Sequence, residues 1–98
     1  MLQLYQAEWC PFSHLVRQRL TELGVDYVAR QVAPRPEERD AMEEAVGSRI
    51  VPVAVLDDGT ILDGDAVEIV AELTARFPET PFTAEHHERR TEDRSFRT

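Results

Sequence analysis

The sequence predicts an α/β fold, a four-stranded mixed sheet with three helices in the order β-α-β-α-β-β-α. Three observations carry this. Apolar residues recur with a period near two in some stretches and near 3.6 in the stretches between them. Proline or glycine stands at most of the changeovers. The last two apolar runs are separated only by Asp57-Asp58-Gly59, a hairpin turn, whereas the earlier runs are separated by helix-length segments that act as crossovers. Right-handed crossovers place helices on both faces of the sheet.

Leu2 to Gln6 alternates apolar and polar residues and reads as the first strand. From Pro11 the period changes: Phe12, Leu15, Val16, Leu20 and Leu23 fall at helical spacing, with Arg17, Gln18, Thr21 and Glu22 opposite. Pro11 suits the first helical turn, where a missing N–H costs nothing, and Gly24 is a natural stop. Asp26 to Val32 carries β-branched and aromatic residues and reads as a second strand, broken by Pro34 and Pro36. Glu37 to Val46 follows as a polar helix with acids in its first turn, an apolar stripe of Ala41, Met42, Ala45 and Val46, and Gly47 beyond it. Ile50 to Leu56 is a strongly apolar strand interrupted by Pro52, and Thr60 to Leu62 is its hairpin partner. Asp63-Gly64-Asp65 supplies caps for a last helix, Ala66 to Phe77, whose expected buried face is Val67, Ile69, Val70, Leu73 and Phe77. Residues 1–82 form the expected domain. Residues 83–98 have mixed charge and no apolar periodicity, and are expected to be a flexible tail.

Ninety-eight residues suit one domain with one core. No segment approaches the roughly 20 apolar residues that span a bilayer, and the N-terminus lacks the basic and apolar regions of a secretory signal. The net charge of −8 argues against nucleic acid or an anionic membrane as partner. A lone cysteine allows no internal disulfide framework, which suits a reducing cytoplasm.

That cysteine, Cys10, lies in Trp9-Cys10-Pro11-Phe12-Ser13, where the first strand hands over to the first helix. A thiol at a helix N-terminus meets backbone N–H groups and the positive end of the helix dipole, and both favour the thiolate. Ser13, one turn on, has a hydroxyl able to donate to it.

A cysteine at this junction, with Val51-Pro52 opening the third strand, resembles the thioredoxin fold. Within that fold the chain is similar to the glutaredoxins and to the N-terminal domain of glutathione transferases. The pieces that carry the resemblance are Leu4-Tyr5, Trp9-Cys10-Pro11-Phe12-Ser13, Val16-Arg17, Gly24-Val25-Asp26-Tyr27, Val51-Pro52-Val53, Asp57-Asp58-Gly59-Thr60 and Asp63-Gly64-Asp65-Ala66. The resemblance implies a cis peptide before Pro52, with the Val51 backbone pairing with the cysteinyl part of glutathione. It implies that the Gly64-Asp65 helix start takes the γ-glutamyl carboxylate. Arg49 is the candidate for the glycine carboxylate, and Trp9, Pro11 and Phe12 flank the bound thiol.

The chain departs from the family pattern at several points. Ala7, followed by Glu8, stands where the family has a basic residue, and Asp63-Gly64 stands where transferases read Glu-Ser. Ser13 replaces the second cysteine of a Cys-x-x-Cys pair, so no resolving thiol exists within the chain. Some single-cysteine members hold an iron–sulfur cluster between two subunits, but they carry glycine where this chain has Pro11. The expected function is that of a monothiol thiol–disulfide oxidoreductase with Cys10 and Ser13 catalytic, acting with glutathione or another small thiol on mixed-disulfide proteins as a monomer or weak dimer. The alternative is a non-catalytic transferase-like or cluster-binding module. Other residues have plainer explanations: Phe12 as core, Arg17 as solvated charge, Asp65 as a helix cap, His14 pointing away from the thiol, and His86-His87 as tail residues with no metal.

Overall fold

Period-two alternation sends the side chains of the central strands to two separate cores in the computed structural model, which describes residues 1–90. Strand β1 (Leu2–Gln6) pairs in parallel with β2 (Tyr27–Gln31) and antiparallel with β3 (Val53–Val55), which pairs antiparallel with β4 (Ile61–Leu62). The sheet order is β2-β1-β3-β4. Leu2, Leu4, Ala54 and Leu62 pack with Val16 and Leu20 of α1 (Pro11–Glu22) and with Ile69 and Leu73 of α3 (Ala66–Arg76). Val53 faces the other way, into a smaller cluster with Met42 and Val46 of α2 (Asp40–Val46) and with Cys10 itself. Helices therefore cover both faces, as the crossovers require. Gly24, just past α1, and Gly47, capping α2, both have positive φ (67° and 76°), the left-handed turn that ends a helix at least cost to glycine.

Three expectations need correction. Residues 37–46 are not one helix: a 3-10 turn over Pro36–Glu38 precedes α2, with the break at Arg39. The buried Arg39 guanidinium donates to the carbonyls of Ala33, Pro34 and Arg49, and this network holds the irregular backbone in place. The strand expected over 50–56 is limited to β3, because proline cannot donate to the ladder at position 52. Phe12, Leu15 and Val67, expected in buried faces, are exposed, Phe12 at 59% and Val67 at 72%. Phe12 and Val67 each lie in the first turn of a helix, beyond the part that covers the sheet.

The structure also has a fourth helix, α4 (Thr83–Arg89), within the segment expected to be flexible; residues 91–98 of that segment lie outside the described residues. Polar contacts attach α4 to α1. Gln18 Nε2 donates to the His86 carbonyl at 3.2 Å, and His87 Nδ1 lies 2.9 Å from Glu22 Oε2. Glu22 is buried and also accepts from Arg19 (2.8 Å) and Gln18 (3.0 Å). Burial pushes the Glu22 carboxyl up, but hydrogen bonds from Arg19, Gln18 and His87 outweigh it and hold the carboxyl below its ordinary value.

A carboxylate held low contributes stability that is full above its unfolded pKa of about 4.3 and is lost as pH falls through the lower folded value. Glu22→Gln is therefore expected to lower unfolding free energy at pH 7 by about 1–3 kcal/mol. In urea denaturation the gap from wild type should narrow as pH drops through that window. A gap unchanged at acid pH would exclude the carboxylate as its source.

Candidate active site

Cys10 caps α1. Its φ and ψ (−81°, 119°) are extended, and Sγ accepts from the Ser13 N–H at 3.4 Å, so the sulfur fills the place of an N-cap oxygen. The residue is buried, in the cluster that includes Ala7, Val51 and Val53. Burial pushes the thiol up. Against it act the Ser13 N–H, the Ser13 hydroxyl, the Phe12 N–H and the charge of Arg17, and together these bring the thiol below its ordinary value.

Ser13 is fully buried, and its Oγ accepts from the Ala7 N–H at 3.3 Å, which leaves the hydroxyl proton for the sulfur. Ser13→Ala should raise the thiol toward the ordinary value of about 8.5 and leave a buried N–H unpaired, costing roughly 1–2 kcal/mol of stability. The pH dependence of iodoacetamide alkylation reads the first effect. An unmoved midpoint would show that the hydroxyl does not support the thiolate.

Arg17, expected as solvated charge, is placed otherwise. Its guanidinium turns back under the loop that precedes Cys10, donating to Gln6 Oε1, to the Ala7 carbonyl at 3.4 Å and to the Glu8 carbonyl at 3.3 Å. The sequence signal was spacing: seven positions after a helix cap is two turns on, the same face as the thiol.

Of the residues expected around the ligand, the structure brings Val51 into the Cys10 cluster, and the Val51–Pro52 peptide is cis. Pro11 opens α1. Trp9 (67% exposed) and Phe12 present apolar side chains on either side of Cys10 in the chain, and Ile50, beside Val51, is also exposed. Arg49 is engaged within the chain: it donates to Asp40 (2.5 Å), Glu43 (3.1 Å) and the Pro36 carbonyl (3.1 Å). Asp65 caps α3 by accepting from the Glu68 N–H at 2.9 Å. Gly64 lies under the Glu68 side chain, so that a Cβ added there would stand 2.3 Å from Glu68 Oε2. His14 lies away from the sulfur, in a cavity of about 380 Å³ shared with Glu22, Val70 and His87. Another cavity, of about 620 Å³, lies at the opposite end of β1 from the thiol, lined by Met1, Leu2, Val25, Arg76 and Phe77.

Iron–sulfur clusters are held by four thiolates or their equivalents. One chain supplies one, and no group of three or more His, Cys, Asp or Glu among the described residues is placed to hold a metal. A cluster would therefore take its remaining ligands from a second chain or from a bound thiol.

The parallel β1–β2 pair, the antiparallel β3–β4 hairpin and the cysteine at the β1–α1 junction define a thioredoxin-like fold. Residues 2–61 match the glutaredoxin family model, and the chain belongs to the glutaredoxin family. No curated protein matches it. Among solved structures it is similar to glutaredoxin 2 from Salmonella typhimurium in complex with glutathione (19% identity, TM-score 0.63), over 74% of this chain and 32% of that one. It is also similar to a glutathione transferase homologue from Sulfitobacter with bound glutathione (22%, 0.68; 90% and 46%). A glutathione S-transferase from Methylobacillus flagellatus with glutathione bound is similar too (25%, 0.64; 80% and 38%). The chain spans less than half the length of each of these.

Proposed function

We propose that this protein is a monothiol thiol–disulfide oxidoreductase in which Cys10 reduces mixed disulfides with a low-molecular-weight thiol, glutathione or another, as second substrate. The observation that carries the reading is the Cys10 sulfur seated as the α1 cap and held toward thiolate by Ser13, Phe12 and Arg17. The solved relatives that hold glutathione support a small thiol as partner.

The chemistry has two balanced exchanges. Cys10 thiolate attacks the small-thiol sulfur of a protein mixed disulfide, a new disulfide forms on Cys10, and the substrate leaves as a thiolate. A second small-thiol thiolate then attacks the sulfur carried by Cys10, giving a small-molecule disulfide and restoring the Cys10 thiolate. Ser13 cannot replace the second thiol, because it has no sulfur to form the intramolecular disulfide. Trp9, Pro11, Phe12 and the Val51-Pro52 backbone are the candidate contacts for the thiol, together with Arg49, Gly64 and Asp65; of these, Val51 packs in the Cys10 cluster. The exposed rings of Trp9 and Phe12 offer apolar contact to a protein substrate.

Residues 1–82 carry the whole of this proposed site. No described helix is long and apolar enough to cross a membrane. We assign the activity to the cytoplasm, where glutathione-type thiols keep such an exchange running, and to a monomer or weak dimer. Steady-state reduction of a protein mixed disulfide with the small thiol in excess tests the reading. Absence of turnover would leave Cys10 as a ligand or docking point without catalysis.

A further inference from the structure

We propose that the small thiol served by Cys10 lacks free carboxylates: an uncharged or cationic thiol and not a dicarboxylate such as glutathione. This rests on the exchange reading above and names the class of its second substrate. Each point at which a carboxylate would be gripped is already held by a carboxylate of the chain.

Arg49, two residues before Val51, has Asp40 at 2.5 Å and Glu43 at 3.1 Å, so the group carries one net negative charge. An incoming carboxylate would have to share that arginine with two of its own kind. At the start of α3 the helix N–H groups and dipole would attract an anion. Asp65 already accepts from the Glu68 N–H, and the Glu68 carboxylate folds back over Gly64 into the space a Cβ would need. A ligand carboxylate would have to expel Glu68 and then sit beside Asp65 and Asp63.

The approach to the sulfur is no more favourable. Ala7 is buried and uncharged, and the Arg17 guanidinium is turned under the loop with Glu8 Oε1 at 3.6 Å. Arg17 and Arg49 each face a carboxylate of the chain, and Arg76, which shares a cavity with Asp63, Gly64 and Glu68, is paired in the same way with Glu72 at 3.2 Å. A thiol with hydroxyl, amide or ammonium groups finds acceptors at all three places. Its thiolate still attacks the small-thiol sulfur on Cys10, forms a small-molecule disulfide and releases the Cys10 thiolate, with no further reductant.

The test compares S-methylglutathione, which has both carboxylates and no reactive thiol, with its diethyl ester, by NMR titration of the wild-type protein at low salt. The diester should bind at least about tenfold more tightly, and added salt should shrink the difference, because exposed charges are screened. Glu68→Gln and Glu43→Gln should each narrow the gap by strengthening the dicarboxylate. Equal affinities, tighter binding of the dicarboxylate or no binding of either compound would overturn the proposal. Because these compounds undergo no exchange, the comparison decides specificity independently of turnover. Absent turnover with a clear preference for the diester would overturn the catalytic reading and leave the charge selection standing.

Discussion

Cys10→Ser abolishes reduction of a protein mixed disulfide, lowering turnover by roughly three orders of magnitude or more, as loss of a nucleophile does, while the protein stays folded. The two halves of this expectation have separate causes. A serine hydroxyl is not ionised near neutral pH and its oxygen forms no disulfide, so the first exchange has no route. Serine is nevertheless a favoured N-cap, and its Oγ can accept from the Ser13 N–H that Cys10 Sγ now engages. Unfolding free energy should therefore change by less than about 1 kcal/mol. Turnover assays and urea denaturation of the same preparation check both parts. Turnover retained by the serine variant would remove Cys10 from the chemistry. Lost turnover with lost structure would show that the sulfur is needed for packing in the cluster with Val51 and Val53.

Where the sequence was a reliable guide, the physics was local. The β1 alternation, the Pro11 start and Gly24 end of α1, and the capping Asp65 each depend on residues within one turn of one another, and each is found as expected. The cysteine's place as a helix cap was legible for the same reason. What was not legible depended on distant partners. Arg39 looks like any arginine of a polar helix until three carbonyls from two loops converge on it. Residues 83–89 show no apolar stripe because α4 is attached to α1 by His87 and the His86 carbonyl, and to the turn before it by the Thr83 hydroxyl, which accepts from the Thr80 N–H at 2.9 Å. Periodicity is blind to such contacts. The same limit explains Arg49. Its position before Val51 suggested a ligand contact, whereas its engagement with Asp40 and Glu43 depends on how α2 folds back against that loop.

Leu20→Ala should strongly destabilise the fold, and it separates the part of the α1 apolar stripe that packs in the core from the part that stays exposed. Leu20 has no exposed surface and packs in the core that joins α1 to the sheet and α3, whereas Phe12, on the same expected stripe, is mostly exposed. Removing a buried leucine side chain costs its transfer energy plus that of the cavity, about 3 kcal/mol. For a domain of this size that corresponds to a fall in Tm of roughly 10–20 °C, a large share of a total stability of about 5–15 kcal/mol. Phe12→Ala should change stability by no more than about 0.5 kcal/mol, as an exposed site does. Thermal denaturation of the two variants side by side checks the division, and equal losses would put Phe12 back in the core. At temperatures where Leu20→Ala remains folded, its alkylation midpoint should match wild type. The groups that lower the Cys10 thiol lie in the first two turns of α1, ahead of the cavity, so a core defect at position 20 costs stability while leaving the thiolate's donors in place.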